Sequence, residues 1–163
     1  MKYYIPTIII VLVDQLSKIW IKNNMLIYET WNIFGDILRF TYVRNPGIAF
    51  GISVGDYTVI LVILSIFATL FVFYLHWNER KNHPLLSYGL AFILGGAIGN
   101  LIDRLSVLFV AEYKGVVDFI DIGTSSYRWY TFNIADTAVT IGMILYILHG
   151  LIIHNTKFIK EDV

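Results

Sequence analysis

The run from Tyr57 to Asn78, YTVILVILSIFATLFVFYLHWN, is 22 residues long and carries no formal charge. As a helix it extends about 33 Å, enough to cross the roughly 30 Å hydrocarbon layer of a bilayer. It does not alternate with period two, so it reads as a helix rather than a barrel strand. Two more uncharged runs follow, Pro84 to Ile102 and Thr137 to Thr156. The N-terminal run from Tyr3 to Val13 is shorter, but it continues past Asp14 and Lys18 to Ile21. No small-residue cleavage site follows it, so it reads as a retained helix. The expected fold is all-α and polytopic: four transmembrane helices in one membrane domain, residues 1–163. The spans are predicted at about 3–21, 57–77, 85–107 and 134–154, with outer segments at about 23–56 and 109–132.

Composition agrees with this reading. The 163 residues are 57% hydrophobic and only 15% charged, with a mean hydropathy of +0.67. Water-soluble domains run at about 25% charged. Twelve basic residues balance twelve acidic ones, so there is no basic field to hold nucleic acid. With no cysteine, thiol nucleophiles, disulfides and zinc–thiolate sites are excluded. Four spans put both termini on one side. Lys2, Arg80, Lys81, Lys157 and Lys160 on that side are matched in number by Lys22, Arg39, Arg44, Lys114 and Arg128 on the other, so it is their density on short flanks that favours placing the termini in the cytoplasm.

The two outer segments are too long to be simple turns. Leu38, Phe40 and Tyr42 alternate with Arg39 and Thr41 as in a half-buried strand, and Asn45, Pro46 and Gly47 supply a turn. Val116 to Ile120 is also strand-like. Trp20, Trp31, Trp77 and Trp129 fall near span ends or in outer segments, as interfacial anchors do.

A charge within a bilayer segment costs several kcal/mol, so each one needs a reason. Asp14 and Lys18 share a helix face by their i, i+4 spacing, and so do Asn100, Asp103 and Arg104 by theirs. Asn133 and Asp136 open the last span, and Asp118 lies in the second outer segment. In the expected topology all of them meet at one depth, near the outer boundary. For Asp14, Lys18, Asp103 and Arg104 the structural reading weighs more: paired charges that hold helices together. Asp118 and Asp136 have no basic residue within four positions, so for these function weighs more. Asn100 and Asn133 suit hydrogen bonds that orient carboxylates. Asp36, Asp56 and Asp121 read as solvated or turn aspartates.

Most hydrolytic chemistries lack their residues. His76, His83, His149 and His154 form no His-Glu-x-x-His pattern, and no Gly-x-Ser-x-Gly elbow or phosphate-binding glycine loop occurs. Gly95, Gly96 and Gly99 lie in an apolar helix and suit close helix packing. Ser17 faces away from Lys18, which disfavours a serine–lysine pair. A pair of carboxylates remains. Two held close in a low dielectric share a proton, so one can act as general base and the other as general acid, the chemistry of aspartic proteases.

The blocks VDQLSK (13–18), RNPGIAFG (44–51), GNLIDR (99–104), VVDF (116–119) and FNIADT (132–137) resemble, in order and spacing, those of bacterial lipoprotein signal peptidase, signal peptidase II. The resemblance covers essentially the whole chain. It implies an aspartyl endopeptidase of the bacterial plasma membrane that cleaves signal peptides from diacylglyceryl-modified prolipoproteins, just before the lipidated cysteine. By motif match the catalytic pair is Asp118 and Asp136. Asn45 and Arg104 hold the substrate backbone, and Asp14, Lys18, Asn100, Asp103 and Asn133 support the site. The resemblance further implies a small extracytoplasmic β-cradle, a loop or helix over the site, and inhibition by the cyclic peptide globomycin. No metal or organic cofactor is expected, and the chain is expected to act as a monomer. The competing reading is a small proton or ion carrier using the intramembrane Asp, Lys and Arg residues. The one-level clustering of those residues weighs against it, because the inner halves of the spans carry no pathway.

Overall fold

Each apolar run forms a helix. The computed structural model describes residues 2–47, 58–80, 83–109 and 115–161. After a 3₁₀ turn, α1 spans Ile5–Asn24, α2 spans Thr58–Glu79, α3 spans Pro84–Phe109 and α4 spans Ile134–Glu161. Pro6 and Pro84 sit in the first turns of α1 and α3, where a missing N–H breaks no helical hydrogen bond. All four helices are long and apolar enough to cross a membrane, with mean hydropathies between 1.5 and 2.5.

The strand-like stretches form one small sheet. β2 (Leu38–Asn45) pairs antiparallel with both β1 (Thr30–Phe34) and β3 (Val116–Ile122), giving the order β1-β2-β3. The alternation in β2 and the apolar run in β3 were legible in the sequence. β1 was not, because its residues are mostly exposed and show no two-residue period. Its turn into β2 uses Gly35, whose φ of 51° is open to glycine at no steric cost. The hairpin joins α1 to α2 and β3 joins α3 to α4, so the sheet caps one end of the bundle. Ile21 and Met25 of α1 pack there against Tyr42, Val117 and Phe119. The loop or helix expected over the site is not found among the described residues, and 48–57 and 110–114 of the outer segments lie outside them.

The bundle buries its polar groups among apolar ones and turns large apolar side chains outward. The buried face of α1 is Thr7, Ile10, Asp14, Lys18 and Ile21, while Ile8, Leu12 and Leu16 point outward. That inversion suits a helix whose outer solvent is hydrocarbon. The central element is α3, half-buried where α4 is only 11% buried, and it packs on all three other helices. Its glycines permit the approach expected of them. A Cβ at Gly96 would run into the Ala135 carbonyl of α4, and one at Gly99 would lie 2.6 Å from Asp14 Oδ2 and 3.2 Å from Ala135 Cβ. His76, His83 and His149 lie at the end away from the sheet, with His76 edge-on to Tyr4.

Gly99→Ala is therefore expected to destabilise the bundle by about 1–3 kcal/mol through overpacking. Thermal unfolding in detergent should show the loss. Gly150→Ala, where a Cβ meets nothing within 4 Å, should not lower the midpoint and should raise it slightly through helix propensity.

Candidate active site

At the sheet end of α1 an ammonium is sealed from solvent. Lys18 is fully buried and lies 2.8 Å from Asp14 and 2.7 Å from Asp103, both also buried. A buried cation needs hydrogen-bonding partners for all three protons. The third goes to Asn100 Oδ1 at 3.0 Å. Asp14 in turn accepts from the Ala135 backbone N–H at 2.9 Å, which ties the first turn of α4 to α1.

The demand of Lys18 fixes the next shell. An ammonium cannot accept, so the Asn100 carbonyl must face it and the amide must face away. Asn100 Nδ2 accordingly donates to Asp136 Oδ1 at 2.8 Å. Asn133 caps α4: its Oδ1 accepts from the Asp136 N–H at 2.9 Å, and its own N–H donates to Asp136 Oδ2 at 3.2 Å. This is a reciprocal capping box with an acid at its third position. With its carbonyl so engaged, the Asn133 amide points to β3 and donates to Asp118 Oδ1 at 2.6 Å. The other Asp118 oxygen accepts from Asn45 Nδ2 at 3.0 Å, and Asn45 Oδ1 closes the turn by accepting from the Gly47 N–H. One asparagine thus bridges both carboxylates.

Two cavities meet at Asn45. The larger, about 680 Å³, is lined by Asp118, Asp136, Trp129, Tyr130 and Thr137. The other, about 530 Å³, is lined by Arg104, Arg44, Tyr28, Leu61 and Val62. Burial pushes the Asp118 carboxyl up to about 7, and the charge of Asp136 pushes the same way against the hydrogen bonds from Asn45 and Asn133. The arrangement offers one carboxyl that holds a proton near neutral pH beside a second acid, both open to an apolar cavity.

A family model described as signal peptidase (SPase) II matches residues 6–152. The chain belongs to that family. A protein of Clostridioides difficile named lipoprotein signal peptidase is 38% identical over 152 residues, covering 93% of this chain and 95% of its own length. One of the same name from Desulforapulum autotrophicum is 35% identical over 149 residues, covering 89% and 88%. A bacterial membrane enzyme solved by the in meso method at 2.3 Å superposes with a TM-score of 0.80 at 30% identity, over 92% of this chain and 87% of that one. A second such structure, at 1.9 Å, gives 0.79 at 30% identity, over 92% of each chain. Membership makes the chain an aspartic-type peptidase and a multi-pass bacterial membrane protein.

The residues expected at the site all lie in or beside this network, and the ion pairing of Asp103 runs between helices rather than to its sequence neighbour. Asp103 finds its counter-ion on another helix, Lys18, while its neighbour Arg104 donates to Ser65 of α2 at 3.0 Å. Consecutive helix positions diverge by about 100°, so adjacency in sequence is no guide to pairing. Asp121 is not a solvated or turn aspartate. It is buried in β3, where it accepts from Arg128 Nε at 2.6 Å and from Thr41 Oγ1 at 2.8 Å. Asp36 is a turn residue as read, paired with Arg39, and Asp56 lies outside the described residues. Sequence reading also passed over Gln15, which donates to both Asp14 and the Gly99 carbonyl. Gly115 was missed as well: its φ is 118° and a Cβ there would strike the Asn45 carbonyl. A glycine directly before an apolar strand was the available signal.

The raised Asp118 carboxyl has a consequence for stability. The folded chain holds that proton up to about pH 7, whereas an unfolded aspartate releases it near its ordinary 3.8. Between these values the folded state binds more protons, so stability falls as pH rises. Asp118→Asn removes the effect. The drop in unfolding temperature between pH 4 and pH 7 should be shallower in the variant than in wild type.

Proposed function

We propose that this chain removes the signal peptide from diacylglyceryl-modified prolipoproteins, cleaving before the lipidated cysteine with water activated between Asp118 and Asp136. The observation that carries the reading is the Asn133 bridge, which holds two carboxylates from different chain segments at the wall of one cavity. In the proposed step the Asp136 carboxylate takes a proton from water as its oxygen attacks the scissile carbonyl. Asp118, protonated near neutral pH, donates to the carbonyl oxygen. Collapse of the gem-diol intermediate breaks the C–N bond: the proton held by Asp136 passes to the leaving amine while a hydroxyl proton returns to Asp118, leaving the carboxylic acid and the starting protonation of the pair. Asn45, which lines both cavities, and Arg104, which lines the smaller one, bind the substrate backbone. Asp14, Lys18, Asn100, Asp103 and Asn133 support the pair.

The substrate's signal helix and acyl chains already lie in lipid, so entry between helices loses little apolar contact. The chain acts as one membrane domain and a monomer, with both termini cytoplasmic and the sheet at the outer face. The same reading implies inhibition by globomycin.

Asp118→Asn and Asp136→Asn should each abolish cleavage of a diacylated prolipoprotein while leaving insertion and substrate binding intact. An Asp136→Asn protein that cleaves at the wild-type rate would falsify the mechanism. Orientation is tested separately. The chain has no cysteine, so Ser125→Cys in an exposed turn beyond β3 gives a single thiol. A membrane-impermeant reagent should label it from outside intact cells, and protection until lysis would refute the orientation.

A further inference from the structure

The Asp121–Arg128 pair lies on the wrong face of the sheet to touch a substrate. Along β3, Asp118 and Ile122 line the larger cavity, while Val117, Phe119 and Asp121 are on the opposite face. Yet Arg128 spends three donors there. Its Nε donates to Asp121 Oδ1, Nη2 to the Asp121 carbonyl at 3.0 Å and Nη1 to the Asp36 carbonyl at 2.8 Å. Thr41 Oγ1 completes the set by donating to Asp121 Oδ2. Charge-assisted bonds at a largely buried site are among the stronger polar contacts.

These contacts clamp a return segment. Residues 123–128 make a tight turn after β3, with Thr124 N–H donating to the Tyr127 carbonyl and Gly123 bridged to Arg128. The chain then runs back along β3, Trp129 N–H donating to the Ile122 carbonyl and Phe132 N–H to that of Ile120. The next two residues after Arg128, Trp129 and Tyr130, are edge-to-face at 6.3 Å and form the wall of the cavity facing Asp118 and Asp136. Trp129 and Tyr130 are 53% and 56% exposed, and the backbone pairing of the return segment sets where their side chains project.

We propose that Asp121 and Arg128 are positioning residues for substrate binding: by pinning the return segment to the back of the sheet, they hold Trp129 and Tyr130 as the wall that receives an apolar group of the substrate beside the scissile bond. The inference rests on the proposed function and deepens it. A wall of this kind contributes binding that is equal in ground state and transition state, so its loss raises KM and spares kcat.

The test is steady-state cleavage of a diacylated prolipoprotein by the full-length wild type and by R128Q, R128K, D121N, W129A and the double variant R128Q/W129A. R128Q, D121N and W129A should each raise KM roughly tenfold with kcat within about twofold, the scale of one charge-assisted bond or one apolar contact. R128K should recover part of the loss. The double variant should be no worse than the weaker single one, because both changes act through the same wall. W129A alters a half-exposed side chain, so it keeps the test meaningful if R128Q folds poorly. Unchanged KM in W129A, a fall in kcat at constant KM, or full additivity in the double variant would overturn the inference while leaving the two-aspartate reaction standing. A wild type inert toward this substrate would overturn the proposed function and the inference together.

Discussion

The site is organised by the demand of one buried ammonium. Lys18 sits at the sheet end of a helix whose outer face is hydrocarbon-like, and an unpartnered charge there is costly. Meeting its three donors recruits Asp14 from its own helix and Asp103 and Asn100 from α3. Each recruit transmits an orientation. Asp14 grips the first turn of α4 through the Ala135 N–H, and Asn100 turns its amide toward Asp136. The carboxylate pair therefore inherits its geometry from a charge cluster that does not itself line the cavity. Gly99 belongs to the same device, since only a missing side chain leaves room for the Asp14 carboxylate between α1 and α3.

Much of this was legible from residue spacing. The i, i+4 pair Asp14 and Lys18 and the triplet Asn100, Asp103 and Arg104 announce polar faces on otherwise apolar helices, and those faces meet in the structure. Asn133 and Asp136 read as the start of a helix and serve as its capping box. The alternating run ending at Asn45 read as a strand and forms β2. Spacing failed where partners are decided across elements. Asp103 chose Lys18, eighty-five positions away, and Arg104 found Ser65 on α2. Asp121 looked like a surface acid because its partner Thr41 lies on a neighbouring strand and Arg128 lies beyond a turn. Local sequence carries periodicity and caps well. It carries no record of which faces are later brought together.

The two faces of β3 divide the labour. Asp118 opens to the cavity, and Asp121, three residues on, anchors the return segment from behind. A short strand can do both because alternate side chains never compete for the same space. The register with β2 places Asn45 opposite Val116 and Val43 opposite Asp118, so the turn at Asn45 and the acid of β3 arrive together. The bulge between Phe40 and Val43 lies in the same stretch.

The position of Asn133 and Asp136 late in the chain has a bearing on biogenesis. Polypeptides emerge from the ribosome N-terminus first, so α1, the hairpin, α3 and β3 all precede the residues that finish the site. Until α4 docks, Asp118 lacks the Asn133 amide and there is no second carboxylate beside it. A nascent chain with three helices in place holds only half of the proposed carboxylate pair, so the order of synthesis itself delays the proposed chemistry until the last helix has docked.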